Sequence, residues 1–169
     1  GNDSVAAGDG SDTILFSSGS DSLSGGAGID TLDLSGLKLG ALADLGVAST
    51  AVAGTDISAI SEIENIVGSN FDDVLKGSEG SNVINAGKGD DFIDGGAGDD
   101  TIVGGDGNDT IALSAGDDVI DAGDGYDTLT VNASMADFTL DIVQASTGAT
   151  LHSLAGTYDN SDIAGIEEI

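Results

Sequence analysis

Acidic or amide side chains recur at every ninth position along two stretches of this 169-residue chain. In order, they are Asp3, Asp12, Asp21 and Asp30, then Asp73, Asn82, Asp91, Asp100, Asp109, Asp118 and Asp127. Hard divalent cations prefer oxygen ligands, so a regular spacing of such side chains could hold a row of ions. The regularity itself is too long to arise by chance.

Each of these residues belongs to a nine-residue unit with a fixed internal pattern. In the unit GGAGDDTIV at 95–103, glycine stands at the first, second and fourth positions and aspartate at the sixth. Glycine admits backbone conformations closed to other residues, which lets carbonyl oxygens approach an ion. The eighth position of every unit is aliphatic, and its occupants are Val5, Ile14, Leu23, Leu32, Leu75, Ile84, Ile93, Ile102, Ile111, Ile120 and Leu129.

The unit resembles the glycine- and aspartate-rich nonapeptide of the RTX (repeat-in-toxin) proteins, a secreted family. The resemblance covers about 100 residues, and a nine-residue register held over that length is highly specific. It implies an all-β fold, a right-handed parallel β-roll with calcium-binding turns. The segments 34–66 and 132–169 carry no nonapeptide and are not covered by the resemblance.

The nine-residue period divides naturally into a turn of about six residues and a strand of about three. Two units should make one coil, so that strands stack into two parallel sheets with a layer spacing of about 4.8 Å. Only the eighth position is reliably apolar, so the core is thin. Stacking also brings the sixth-position carboxylates of neighbouring coils together, where they repel and raise one another's pKa. A divalent cation would remove this repulsion and cross-link the coils.

Calcium suits this ligand set because it takes six to eight oxygens from carboxylates and backbone carbonyls. Magnesium demands rigid octahedral geometry, and zinc prefers nitrogen or sulfur ligands, which the turns lack. The resemblance implies that about seven ions lie between turns of adjacent coils. It pairs Asp3 with Asp21, Asp12 with Asp30, Asp73 with Asp91, Asp91 with Asp109, Asp109 with Asp127, Asn82 with Asp100, and Asp100 with Asp118. It also implies carbonyl ligands in the glycine region, at Gly26, Gly28, Gly87, Gly89, Gly96, Gly98, Gly105, Gly107, Gly123 and Gly125.

Departures from the pattern rank the predicted ion sites. Two turns are poor in glycine, and Asn82 contributes no charge. The turns of Asp91, Asp100 and Asp109 are therefore expected to hold calcium best. Adjacent side chains point in different directions, so the acids at the fifth position are interpreted as surface residues that raise the local calcium concentration. These acids are Asp72, Asp90, Asp99 and Asp117.

Composition limits the classes of function. The chain has 31 acidic and three basic side chains, for a formal charge of −28, and no cysteine. Nucleic acid is not expected as a partner, because its phosphates need a basic surface. Membrane insertion is not expected either, because no apolar run approaches about 18 residues. The single histidine, His152, has no second imidazole or catalytic motif around it, so the chain is not predicted to be an enzyme.

The repeats and the segments between them define four predicted regions: roll block 1–33, spacer strands and loops 34–67, roll block 68–131, and a second spacer 132–169. Ile63-Glu64-Asn65-Ile66 recurs as Ile166-Glu167-Glu168-Ile169, which predicts a longer repeat of about 100 residues. Because the sequence starts inside a unit, a piece of a larger protein is expected, with a further block beyond residue 169. The first spacer could be an amphipathic helix, but its β-branched residues and glycines favour strands.

The predicted function is that of a calcium-binding structural region in a large secreted protein. Proteins that resemble this chain leave Gram-negative bacteria unfolded by type I secretion and fold on meeting extracellular calcium. The longer repeat favours an adhesin or a surface-layer protein. Self-assembly, or contact with a cell surface or matrix, would then involve parts of the parent protein outside this sequence. The alternative is the calcium-binding secretion module of an exported protease, lipase, epimerase or toxin.

Overall fold

The predicted parallel β-roll is confirmed by a computed structural model, which describes residues 1–46, 50–52, 55–113, 115–131 and 139–146. His152 and the second copy of the Ile-Glu-x-Ile sequence lie outside these ranges. The described residues form sixteen strands and no helix. The strands are β1 (Ser4–Asp9), β2 (Thr13–Leu15), β3 (Asp21–Ala27), β4 (Thr31–Asp33), β5 (Leu42–Asp44), β6 (Thr50–Val52), β7 (Thr55–Ser61), β8 (Asn65–Val67), β9 (Val74–Lys76), β10 (Val83–Lys88), β11 (Phe92–Asp94), β12 (Thr101–Asp106), β13 (Thr110–Leu113), β14 (Asp117–Asp124), β15 (Thr128–Val131) and β16 (Thr139–Ser146).

Strands two units apart pair in parallel, as the 18-residue coil requires. Ile84 is in register with Ile102, and Ile102 with Ile120. One face of the coil is a seven-stranded sheet in the order β16-β14-β12-β10-β8-β4-β2. The other face is divided between a four-stranded sheet, β1-β3-β7-β6, and a five-stranded sheet, β15-β13-β11-β9-β5. The roll has the two predicted faces, and the second face is divided into two sheets because the spacer interrupts it.

Strand length also differs between the two faces. β9 and β11 have the predicted three residues, whereas β10 and β12 have six. The longer strands continue into the following turn, where Gly87 stays in register with Gly105 and Gly105 with Gly123. Glycine permits this close stacking of backbones.

The eighth-position side chains form the core, as predicted. Leu75, Ile84 and Ile93 are fully buried, and each stacks on its equivalent in the next coil. Val5 has 37% of its surface exposed, because β1 lies at the edge of its sheet, and Leu129 is only partly buried. The other buried occupants of this position are Ile14, Leu23, Leu32, Ile102, Ile111 and Ile120.

The first spacer is built into the roll as strands, so the helical alternative was wrong. β7 pairs with β3, β8 joins β4 to β10, and β5 pairs with β9, all in parallel. Only β6 is antiparallel, and it pairs with β7. The spacer lengthens the coil from 18 to 34 residues on one edge and to 32 on the other. The region boundaries at 33, 67 and 131 remain a prediction.

Candidate functional site

The sixth-position residues lie at the corners of the coils, where each turn passes into a strand. Asp30, Asp100 and Asp109 are 0% to 1% exposed. Asp12 is half-buried and Asp3 is exposed, because both belong to the terminal coil. Burying a carboxylate is unfavourable unless hydrogen bonds or an opposite charge compensate. The remaining sixth-position residues are also buried: Asp21, Asp73, Asn82, Asp91, Asp118 and Asp127.

In each predicted pair, one oxygen of the second carboxylate is held by the preceding coil. Asp109 Oδ1 accepts a hydrogen bond of 2.9 Å from the Asp91 backbone N–H, 18 residues earlier. All seven predicted pairs show this contact, with donor–acceptor distances between 2.7 and 3.0 Å. The structure thus brings together the residues that the sequence pairs.

The second oxygen of five of these aspartates has no donor. Within the described residues, the buried side-chain oxygens without a hydrogen-bond partner are the Oδ2 atoms of Asp12, Asp30, Asp91, Asp100 and Asp109. A buried acceptor without a donor costs about 1–3 kcal/mol, and more when it is charged. A cation bound at each of these oxygens would compensate this cost.

A backbone carbonyl of the next coil lies close to such an oxygen. A Cβ built on Gly104 would lie 2.5 Å from Asp109 Oδ2 and 2.2 Å from the Ala122 carbonyl oxygen. Carboxylate and carbonyl oxygens are the mixed ligand set that calcium takes. Only glycine leaves this space open at the first position of the turn, so the residues present fit a calcium ion between coils.

The turns of Asp73 and Asn82 differ, because protein donors satisfy their side chains. Ser69 stands at the second position, and its backbone N–H donates to Asp73 Oδ2 at 2.6 Å while its Oγ donates to Oδ1 at 2.8 Å. The Ser78 backbone N–H donates to Asn82 Oδ1 at 2.7 Å. Both residues were predicted as metal ligands. The structure places them at the expected corners but leaves no carboxylate oxygen there without a donor.

The backbone at the fourth position separates these two turns from the glycine turns. All ten glycines predicted as carbonyl ligands have positive φ, from 92° at Gly96 to 149° at Gly125. Ser69 and Ser78, at the second position of these turns, do not have positive φ. Gly80, at the fourth position of the Asn82 turn, does not have positive φ either. The serine turns therefore adopt a different conformation from the glycine turns.

Burial changes the acidity of the central aspartates. It raises the pKa of Asp91 and of Asp100 to about 7 and the pKa of Asp109 to about 6. Burial also raises the pKa of Asp118. The hydrogen bond from the preceding coil lowers each pKa, and neighbouring carboxylates raise it further.

A pH dependence of the metal-free roll follows from these pKa values. A carboxyl group whose pKa is higher in the folded state binds its proton more tightly there than in the unfolded chain. In excess chelator we therefore expect the roll to be most stable near pH 4 and to lose stability as the pH rises to about 7. Circular dichroism over this range should show sheet content falling with rising pH. A rise in sheet content with pH would contradict the assignment of Asp91, Asp100 and Asp109 as buried acids.

The fifth-position acids are exposed, as their interpretation as surface residues requires. The structure adds a contact that the sequence did not indicate. Asp72 Oδ1 accepts from the Asp90 backbone N–H at 2.9 Å, and Asp99 Oδ1 accepts from Asp117 at 3.0 Å. The fifth-position carboxylates thus accept from the following coil, whereas the sixth-position carboxylates accept from the preceding coil. The fifth position thus contributes to stacking on the surface.

One residue outside the nonapeptide units also occupies the sixth position of a coil. Asn65 pairs with Thr31 and with Val83, so Glu64 precedes β8 as Asp30 precedes β4. The Asp30 backbone N–H donates to Glu64 Oε2 at 2.8 Å. The sequence Glu64-Asn65-Ile66 could have identified this residue, because its acid stands two residues before a buried aliphatic side chain, as in the repeat units.

Side chains alone do not complete a metal site. In the part of the chain that the structure describes, no group of three or more acidic, histidine or cysteine side chains could hold a metal ion. Any ion between coils must therefore use backbone carbonyls as well as one or two carboxylates. No helix among the described residues is long and apolar enough to cross a membrane.

Comparison with known proteins agrees with this geometry. The family model of the RTX calcium-binding nonapeptide repeat matches residues 1–32, 67–102 and 94–129, which together are more than half of the chain. A search of curated proteins finds no match. The matched family implies calcium binding by the repeats, and the unmatched part includes the first spacer. The chain belongs to the RTX family of calcium-binding nonapeptide repeat proteins.

Proposed function

We propose that this chain is a structural region of a secreted bacterial adhesin or surface-layer protein that folds on meeting extracellular calcium. The observation that carries this proposal is the row of buried carboxylate oxygens without donors. These oxygens leave the metal-free roll with uncompensated charge, and an ion between coils compensates it. Secretion through a type I system from a Gram-negative cell would keep the chain unfolded until it reaches millimolar calcium.

The unpartnered oxygens support an assignment of calcium ions to particular turns. Asp109 Oδ2 lies close to the Ala122 carbonyl of the following coil, and we extend this arrangement to the equivalent oxygens of the other turns. We therefore assign ions to the pairs Asp12–Asp30, Asp91–Asp109, Asp100–Asp118 and Asp109–Asp127. The pairs Asp73–Asp91 and Asn82–Asp100 are assigned none, because Ser69 and Ser78 donate to the oxygens that would face the ion.

Three single substitutions test this assignment. We expect Asp100→Asn to remove one calcium ion, because it removes charge from an oxygen without a donor while preserving shape. Asp99→Asn, at an exposed neighbour, should remove none. Asp73→Asn should also remove none, because serine already donates to that carboxylate. Native mass spectrometry resolves complexes that differ by a single ion, and circular dichroism checks that each variant is folded.

The two control variants could each contradict the assignment of ions to turns. If Asp99→Asn removes an ion as Asp100→Asn does, the ligand position within the repeat is wrong. If Asp73→Asn removes an ion, the serine turns bind calcium and the assignment by unpartnered oxygens fails. Absence of calcium binding by the unmodified chain would refute the proposed function altogether.

The parent protein is proposed as an adhesin because the Ile-Glu-x-Ile sequence recurs about 100 residues apart, which suits a long repetitive protein. The competing proposal is a secretion module attached to an exported enzyme. Reading the parent open reading frame in both directions separates the two. Further copies of the long repeat support the adhesin, and an adjacent catalytic domain supports the enzyme.

A further inference from the structure

Asp30 ends the first repeat block, yet its carboxylate is arranged as though another coil followed. The residue is 0% exposed, and its Oδ1 accepts from the Asp12 backbone N–H at 2.8 Å. Its Oδ2 is one of the five buried oxygens without a donor. In the turn of Asp109, such an oxygen lies close to a carbonyl of the next coil. The next coil after Asp30 is the first spacer.

Residues 62–64 of the spacer take the place of the six-residue turn at 25–30, because Ser61 pairs with Ser24 and Asn65 pairs with Thr31. The register of β8 puts Glu64 at the sixth position and Ile66, 1% exposed, at the eighth. Glu62 follows Ser61 as Gly25 follows Ser24, so it stands at the first position of this shortened turn. Glu62 has a φ of 55°, and it is the only residue other than glycine with positive φ in the described ranges. A side chain is held in this region only where its surroundings impose it.

The oxygens around this turn match those of a repeat site. A Cβ built on Gly25 would lie 2.5 Å from Asp30 Oδ2 and 1.9 Å from the Glu62 carbonyl oxygen. The equivalent point on Gly104 lies 2.5 Å from Asp109 Oδ2 and 2.2 Å from a carbonyl oxygen. The Asp30 backbone N–H donates to Glu64 Oε2 just as other repeats donate to the next sixth-position carboxylate. The Glu62 carbonyl thus takes the place of the usual first-position carbonyl.

We propose that residues 62–64 form an additional calcium-binding turn, with one ion held between the Asp30 and Glu64 carboxylates and the Glu62 carbonyl. This proposal rests on the proposed calcium function and extends it to a segment that the repeat family does not match. The ion would cross-link the first repeat block to the spacer. The next contact along this edge needs no metal, because Asn82 Nδ2 donates to the Glu64 carbonyl at 2.6 Å.

The test is Glu64→Gln in the full 169-residue chain, with bound calcium counted by native mass spectrometry. Glutamine keeps an acceptor for the Asp30 N–H but loses the charge, so we expect a folded protein with one ion fewer. Glu62→Gln is the matched control, because Glu62 is proposed to bind through its backbone carbonyl, while its side chain accepts a hydrogen bond from Ser24 Oγ. It should keep every ion.

A double variant tests whether Glu64 and Asp30 share one ion. Asp30→Asn should lose the ions on both of its sides, and adding Glu64→Gln should remove no further ion. The proposal is overturned if Glu64→Gln keeps the full count, if Glu62→Gln loses an ion as well, or if the double variant loses more than Asp30→Asn. In each of these cases calcium binding by the unmodified chain would still support the proposed function. An unmodified chain that binds no calcium would refute both.

Discussion

In excess chelator at neutral pH, the chain is expected to lose most of its β-sheet, and calcium is expected to restore it. The core is one aliphatic side chain per nine residues, and ordering each backbone residue costs about 1–2 kcal/mol. The chain also has a formal charge of −28, with carboxylates stacked one coil apart. Circular dichroism during a calcium titration should show coil converting to sheet, with a midpoint of roughly 10⁻⁴–10⁻³ M.

The control is magnesium at the same concentration and ionic strength. It screens charge equally but suits a site of flexible carboxylates and carbonyls poorly, so little sheet should form. Full sheet content in chelator at neutral pH would contradict metal-coupled folding. It would show that ladder hydrogen bonds and the thin core are sufficient by themselves.

Gly107→Ala is expected to destabilise the calcium-bound roll by roughly 3 kcal/mol, because two penalties act together. The φ of Gly107 is 145°, which alanine rarely adopts. Its new Cβ would also lie 1.9 Å from the carbonyl oxygen of Gly89 in the preceding coil. Denaturant unfolding at saturating calcium measures the change in free energy.

Gly80→Ala is the matched control, because Gly80 also occupies the fourth position of a turn. Its φ is not positive, and the nearest atom to an added Cβ is Ser78 Oγ at 3.9 Å. We expect a change within about 0.5 kcal/mol. Equal destabilisation by the two substitutions would show that the serine turns and the glycine turns share one conformation.

The sequence by itself determined the features that repeat. The nine-residue register predicted the 18-residue coil, and the eighth-position aliphatics predicted the core seen at Ile84, Ile93 and Ile102. It also predicted which sixth-position residues meet, as Asp91 and Asp109 do. These features follow from the periodicity together with the resemblance to the RTX repeat, which implies the pairing of units two apart, because a uniform solenoid converts a sequence offset directly into a spatial neighbour.

Only the tertiary structure decided what happens where the register is interrupted. A spacer offset of 34 residues instead of 18 hides Glu64 from a nine-residue count, and strand pairing is what returns it to the sixth position. The turns of Asp73 and Asn82 keep the register, but whether their oxygens face an ion or a serine depends on the local backbone. That choice is fixed by hydrogen bonds within a single turn, which the repeat pattern does not specify.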